Sequence, residues 1–143
     1  MTVDRIHRIA AVVLLGLAAS GAAQALQRSV WDGVFTAGQS IRGRVQYDAH
    51  CAICHGATLS GSDTAPELSG GLFVANWSEL SAGDLFKRIR TTMPANDPGS
   101  LGDAAVADVM AYLFMMNKFP AGGAELPRDV QLLEQIRISA AAH

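Results

Sequence analysis

Cys51-Ala52-Ile53-Cys54-His55, with His50 before it and Gly56 after it, carries both cysteines of a 143-residue chain. Two thiols this close make a poor structural disulfide, because the loop they would close constrains the unfolded chain very little. C-x-x-C-H is instead the signature of covalent haem attachment. Two intervening residues in a helical turn set both thiols against one edge of a flat macrocycle, where each can form a thioether with a vinyl group. The histidine that follows can turn its imidazole toward the iron. Other readings of the pentapeptide lack parts. A structural zinc site takes four ligands, commonly from a second cysteine or histidine pair, and outside the first 25 residues only His50 and His143 remain. A thioredoxin-like redox pair needs a strand-helix-strand context, and no stretch here sustains the alternation of a strand.

Upstream of the motif, the first 25 residues read as an address. Arg5 and Arg8 form a short positive region, Ile9 to Leu17 is apolar apart from Gly16, and Ala23-Gln24-Ala25 is a small-residue cleavage site. Residues 1–25 are expected to be a secretory signal peptide, leaving 26–143 as one domain in the bacterial periplasm. The alternative is an uncleaved membrane anchor, although Ile9 to Ala23 is shorter than the roughly 20 residues of a spanning helix. Removing Asp4, Arg5 and Arg8 takes away a net +1 and changes the formal charge from −2 to −3. A mildly acidic domain whose one basic cluster is Lys87, Arg88 and Arg90 excludes a strong nucleic-acid binder. That cluster reads either as a partner-docking patch or as a solvated helix face. Half of the residues are hydrophobic but only 6% aromatic, as suits a core supplemented by something other than side chains.

Helical signals organise the rest, and no strand is expected. Thr36 and Gln39 have capping-box spacing and open a segment running to about Cys51, with Gly43, Tyr47 and Cys51 on one stripe. Residues 56–80, rich in Gly, Ser and Thr around Pro66, read as a long loop, acceptable in a compact domain only if it wraps something. Ser81 and Asp84 cap a helix with Leu85, Phe86 and Ile89 on its apolar side, ended by Pro94. From Asp103 to about Asn117, Ala105, Val109, Tyr112, Leu113 and Met116 recur at helical spacing, and Asp103 suits the positive end of the dipole. A last helix is expected from Pro127 to about Ile138, with Val130, Leu133 and Ile136 on one side. The expectation is all-α: a core of about 36–120 and a C-terminal helical extension of about 121–143.

The sixth iron position separates an electron carrier from a haem enzyme or gas sensor with an open site. Met110, Met115 and Met116 belong to the long apolar helix, where methionine commonly fills gaps. Met93 differs, because it precedes Pro94 in a segment biased to extended conformation and stands 38 residues after His55. That is enough chain to round the haem edge. A thioether there raises the potential relative to two histidines. His50 shares a helix turn with the cysteines and reads as a surface residue, and His143 is terminal.

With these residues in hand, the chain resembles class I c-type cytochromes. It resembles more closely the single-haem cytochromes that accompany bacterial quinoprotein (PQQ-dependent) alcohol dehydrogenases. Ser29-Val30-Trp31-Asp32-Gly33-Val34, Thr92-Met93-Pro94, Ala111-Tyr112-Leu113 and Phe119-Pro120-Ala121-Gly122 carry the likeness. The resemblance implies one haem c bound through Cys51 and Cys54, His55 as proximal ligand and Met93 as distal ligand. It implies that the Pro66 carbonyl holds the other ring nitrogen of His55, that Leu68, Phe73 and Trp77 line the pocket, and that Gly43 and Tyr47 meet Tyr112. One departure is visible, Gly102 standing where a serine or threonine cap is usual. The implied function is periplasmic electron transfer without substrate turnover. Electrons would come from a quinoprotein or other periplasmic dehydrogenase and pass to a terminal oxidase or another cytochrome; a haem subunit of a larger dehydrogenase complex is the alternative.

Overall fold

The computed structural model describes residues 28–141. The expected signal peptide and His143 lie outside them. β1 (Arg28–Ser29) leads into a single 3-10 turn, Val30–Asp32, where Ser29 and Asp32 cap each other reciprocally. α1 (Ala37–His50) follows, then α2 (Ala52–His55), α3 (Gly71–Trp77), α4 (Ala82–Thr92), α5 (Asp103–Met116) and α6 (Val130–Leu133). β2 (Ile136–Arg137) closes the order and pairs in parallel with β1, Arg28 opposite Ile136 and Ser29 opposite Arg137. The architecture is helices and loops around one hydrophobic core, as the resemblance to class I c-type cytochromes implies.

α1 and α5 form the central pair, and their sequences explain the close crossing. A Cβ added at Gly43 would lie 1.8 Å from the Asp108 carbonyl oxygen, so only glycine lets the two backbones meet there. One turn on, the Tyr47 and Tyr112 rings meet at 5.3 Å between centroids, inclined at 55°. At the rim Arg42 forks onto both carboxylate oxygens of Asp108 at 3.0 Å and reaches Glu125 at 2.8 Å. α4 packs against α5 and α6 and buries Leu85, Phe86 and Ile89, each worth about 1.5–3 kcal/mol of burial. No helix among the described residues is long and apolar enough to cross a membrane.

Four expectations are corrected. The loop expected over 56–80 contains α3, whose N-cap is Gly70 (φ +82) with no side-chain cap, and so leaves no cap signature in the sequence. The helix expected from Pro127 to about Ile138 is confined to Val130–Leu133, where Asp129 accepts from the amides of Gln131 and Leu132. Beyond it the chain extends, and Leu133 and Ile136 are buried while Val130 packs against the core. Spacing by three satisfies one helical turn and an extended continuation alike. The short β1–β2 ladder was not expected; two residues per strand leave no alternation to detect. Finally, Thr36 caps α1 by accepting from the Gln39 amide at 3.0 Å, but the Gln39 side chain does not complete the box. It is buried and holds the Leu126 backbone instead, Nε2 to the carbonyl at 3.1 Å and the amide to Oε1 at 2.7 Å.

Candidate haem-binding site

The motif occupies the joint between two helices. The Cys51 amide closes the last turn of α1 onto the Tyr47 carbonyl at 2.8 Å. The amides of Cys54 and His55 then turn back to the Cys51 carbonyl at 3.1 and 2.9 Å. Both thiols therefore belong to one turn and are free. Cys54 is exposed, whereas Cys51 packs partly against the core. Burial, and secondarily the neighbouring Cys54, pushes the Cys51 thiol up to about 11, so it is held protonated at neutral pH. Ile53, between them, is 92% exposed.

His55 is buried, and its Nδ1 lies 2.8 Å from the Pro66 carbonyl oxygen. A carbonyl has no proton to give, so Nδ1 carries the hydrogen, and in the neutral ring Nε2 bears the lone pair. No hydrogen bond engages Nε2 among the described residues. The Pro66 carbonyl is presented by a tight loop. Gly61 (φ +73) donates to the His55 carbonyl at 2.8 Å, Ser62 and Ala65 bridge, and Leu68 donates to the Leu59 carbonyl at 2.8 Å. At Gly61 a Cβ would fall 2.6 Å from the Glu67 nitrogen, so both the positive φ and the crowding demand glycine.

Leu68 and Trp77 are half-buried and Phe73 is buried; the Phe73 and Trp77 rings meet at 6.4 Å. Met93 is the C-cap of α4, extended at φ −122° and ψ 151°, partly buried against the core, with Pro94 after it. Met110 is fully buried in the core, Met115 and Met116 are partly so, and His50 is exposed.

Two supporting roles escaped the sequence reading, which places Tyr47 only against Tyr112. The Tyr47 hydroxyl donates to the Gly56 carbonyl at 2.7 Å, bracing the residue after His55, and burial raises its pKa above the ordinary tyrosine value. Asn117, at the end of α5, donates to the Leu68 carbonyl and accepts from the Gly70 amide, each at 3.0 Å, pinning the loop beside α3. An asparagine after a helix was the visible signal, but its partners lie 49 and 47 residues away. The basic cluster is largely spent inside the molecule: Lys87 pairs with Glu134 and Arg90 with Asp103.

The donor set suits a haem better than a bare metal ion. It offers two free thiols on one turn, an imidazole with one nitrogen committed, and a thioether on another element. No group of three or more His, Cys, Asp or Glu able to hold an ion occurs among the described residues. A family model described as cytochrome c oxidase, cbb3-type, subunit III matches residues 39–113, more than half of the chain. The chain belongs to this cytochrome family. As a c-type cytochrome domain it carries haem-based electron transfer as its chemistry, with haem c as the implied prosthetic group. Among solved structures the cytochrome is similar to the sulfane dehydrogenase SoxCD from Paracoccus pantotrophus, at 20% identity and a TM-score of 0.46 over 73% of this chain. The match spans 60% of the length of that relative. No curated protein matches.

Proposed function

We propose that this cytochrome is an exported, periplasmic single-haem electron carrier. Cys51 and Cys54 hold haem c through two thioethers, His55 is the proximal ligand and Met93 the distal one. The observation that carries the reading is a buried imidazole whose Nδ1 proton is held by the Pro66 carbonyl while Nε2 stays uncommitted, next to two free thiols. Haem, when bound, supplies a reversible one-electron iron couple. The chain's own residues set the conditions for it. Pro66 fixes the tautomer and orientation of His55, an outer contact that raises ligand basicity. Leu68, Phe73 and Trp77 supply apolar surroundings, which together with a thioether ligand favour the reduced state. Ile53 gives the surface between the cysteines an apolar character on which a partner can settle. Net acidity favours a partner with basic rim residues, acting on encounter rate more than on affinity.

The donor in this reading is a quinoprotein or other periplasmic dehydrogenase, and the acceptor an oxidase or a second cytochrome. The family's description as an oxidase subunit favours a second reading, in which the chain is a haem subunit of a larger assembly. Purification from the host separates the two, since a free carrier elutes alone in the soluble periplasmic fraction. The haem itself is tested by producing the full chain with c-type maturation machinery. The expected product is coloured, with a reduced c-type spectrum and a mass raised by one covalent haem; a colourless polypeptide of unmodified mass overturns the proposal. Met93→Ala is expected to abolish the sulfur-to-iron absorption band and lower the midpoint potential. An unchanged spectrum removes Met93 from the sixth position.

A further inference from the structure

We propose that Arg90 is the positioning residue for Met93, locking the loop that carries the distal sulfur; this rests on reading Met93 as the sixth ligand. Met93 leaves α4 in extended conformation, its amide still bonded to the Ile89 carbonyl at 3.0 Å. The chain then turns through 94–99 and comes back. The Asp97 amide bonds to the Pro94 carbonyl at 2.9 Å, and the Gly99 amide (φ +79) reaches the Met93 carbonyl at 3.3 Å. That last bond is long, and alone it closes the loop weakly.

Arg90, one turn before Met93, supplies the rest. Its Nη1 donates to the Gly99 carbonyl at 2.8 Å and its Nε to Asp103 Oδ1 at 2.7 Å. One planar guanidinium therefore joins the last turn of α4, the far end of the methionine loop and the first turn of α5. The neighbouring threonines do not share this task. Thr91 and Thr92 turn their hydroxyls back along the helix to the carbonyls of Lys87 and Arg88, each at 2.7 Å. Lys87, on the same helix, pairs with Glu134 beside α6 and makes no bond to the loop.

A ligand borne by a loop exchanges between bound and released states, and a competitor for the iron binds in proportion to the released fraction. Arg90 sets that fraction by holding both ends of the loop in register. Lysine, with a single ammonium in place of a rigid fork, does not span Gly99 and Asp103 together.

The test uses full-length holoprotein and imidazole as the competing ligand, followed through loss of the sulfur-to-iron band. Arg90→Ala is expected to bind imidazole about tenfold more tightly, a change of about 1.4 kcal/mol, and to show a weakened band before imidazole is added. Arg90→Lys should recover part of the difference. Asp103→Asn, an isosteric change on the partner, should move affinity in the same direction by a smaller factor, and it carries the test if Arg90→Ala yields no holoprotein. Lys87→Ala should stay within about twofold of wild type, because its ion pair holds a different element. Wild-type affinity in both Arg90→Ala and Asp103→Asn overturns the proposal, and so does an equal effect of Lys87→Ala, which would mark general loosening of α4. Met93→Ala run alongside keeps the two ideas apart: a band that survives it sinks the ligand assignment, whereas a band lost there but indifferent to Arg90 sinks only the positioning role.

Discussion

Ser81 and Asp84 hold each other at the start of α4. The Ser81 hydroxyl accepts from the Asp84 amide at 3.1 Å, while Asp84 Oδ2 accepts from the Ser81 amide at 2.9 Å and from its hydroxyl at 2.7 Å. These bonds, the hydroxyl's first and the amide's second, with Lys87 adding to them, hold the Asp84 carboxyl below its ordinary value of 3.8. A depressed carboxylate stabilises the fold fully above its unfolded value, and that contribution disappears as pH falls through the lower folded value. Ser81→Ala is expected to cost about 1 kcal/mol at neutral pH. The difference from wild type should shrink on acidification below 3.8. Denaturant midpoints of the two proteins at neutral and acid pH check this, and a pH-independent difference sinks it. This cap was legible because its partners are three residues apart, as was the shared turn of Cys51 and Cys54 for the same reason. Asn117 and Arg90 were not legible in their roles: their chemistry is ordinary, and only the folded chain brings Leu68, Gly70, Gly99 and Asp103 to them.

Elements with a local start signal and an apolar face emerged close to where expected. α4 opens after Ser81, α5 opens at Asp103 behind the bare Gly102 cap, and α1 ends where Cys51 begins the next turn. α3 was hidden, since a glycine at positive φ announces a turn more than a helix, and α6 was overextended because a three-residue repeat does not distinguish one turn from many. At this scale Gly43 is the most exacting position. Gly43→Ala forces a methyl into the Asp108 carbonyl and drives α1 from α5, with an expected loss of about 3 kcal/mol. Thermal unfolding of the holoprotein reads it directly, and an unshifted midpoint refutes the close helix crossing.

Across the whole molecule, the segment after α5 acts as a strap. The Gly122 amide bonds to the Phe35 carbonyl, Leu126 is clamped by Gln39, and Glu134 lies against Gly83. Ile138 exchanges backbone hydrogen bonds with Glu79 and Leu80, and Ser139 receives the Trp31 indole at 3.0 Å. Gln39→Leu would leave the buried Leu126 amide and carbonyl without partners, at a cost of about 3 kcal/mol. The expected readout is faster tryptic cleavage at Arg128 with the haem spectrum retained; unchanged cleavage would show that the strap is held without Gln39. None of this was available from pattern alone, because Gln39 and Leu126 are 87 residues apart.

The ladder between Arg28–Ser29 and Ile136–Arg137 has a topological corollary. Backbones paired this way run about 4.8 Å apart, and because the pairing is parallel the chain enters at Arg28 and leaves beyond Arg137 at opposite ends of a ladder only two residues long. A linker of a few residues is enough to join the two points into a ring, and that ring can be reopened in an exposed turn elsewhere, the arrangement that circular permutation exploits. The same adjacency lets the cytochrome be spliced into a surface loop of a host protein with its two junctions a short distance apart.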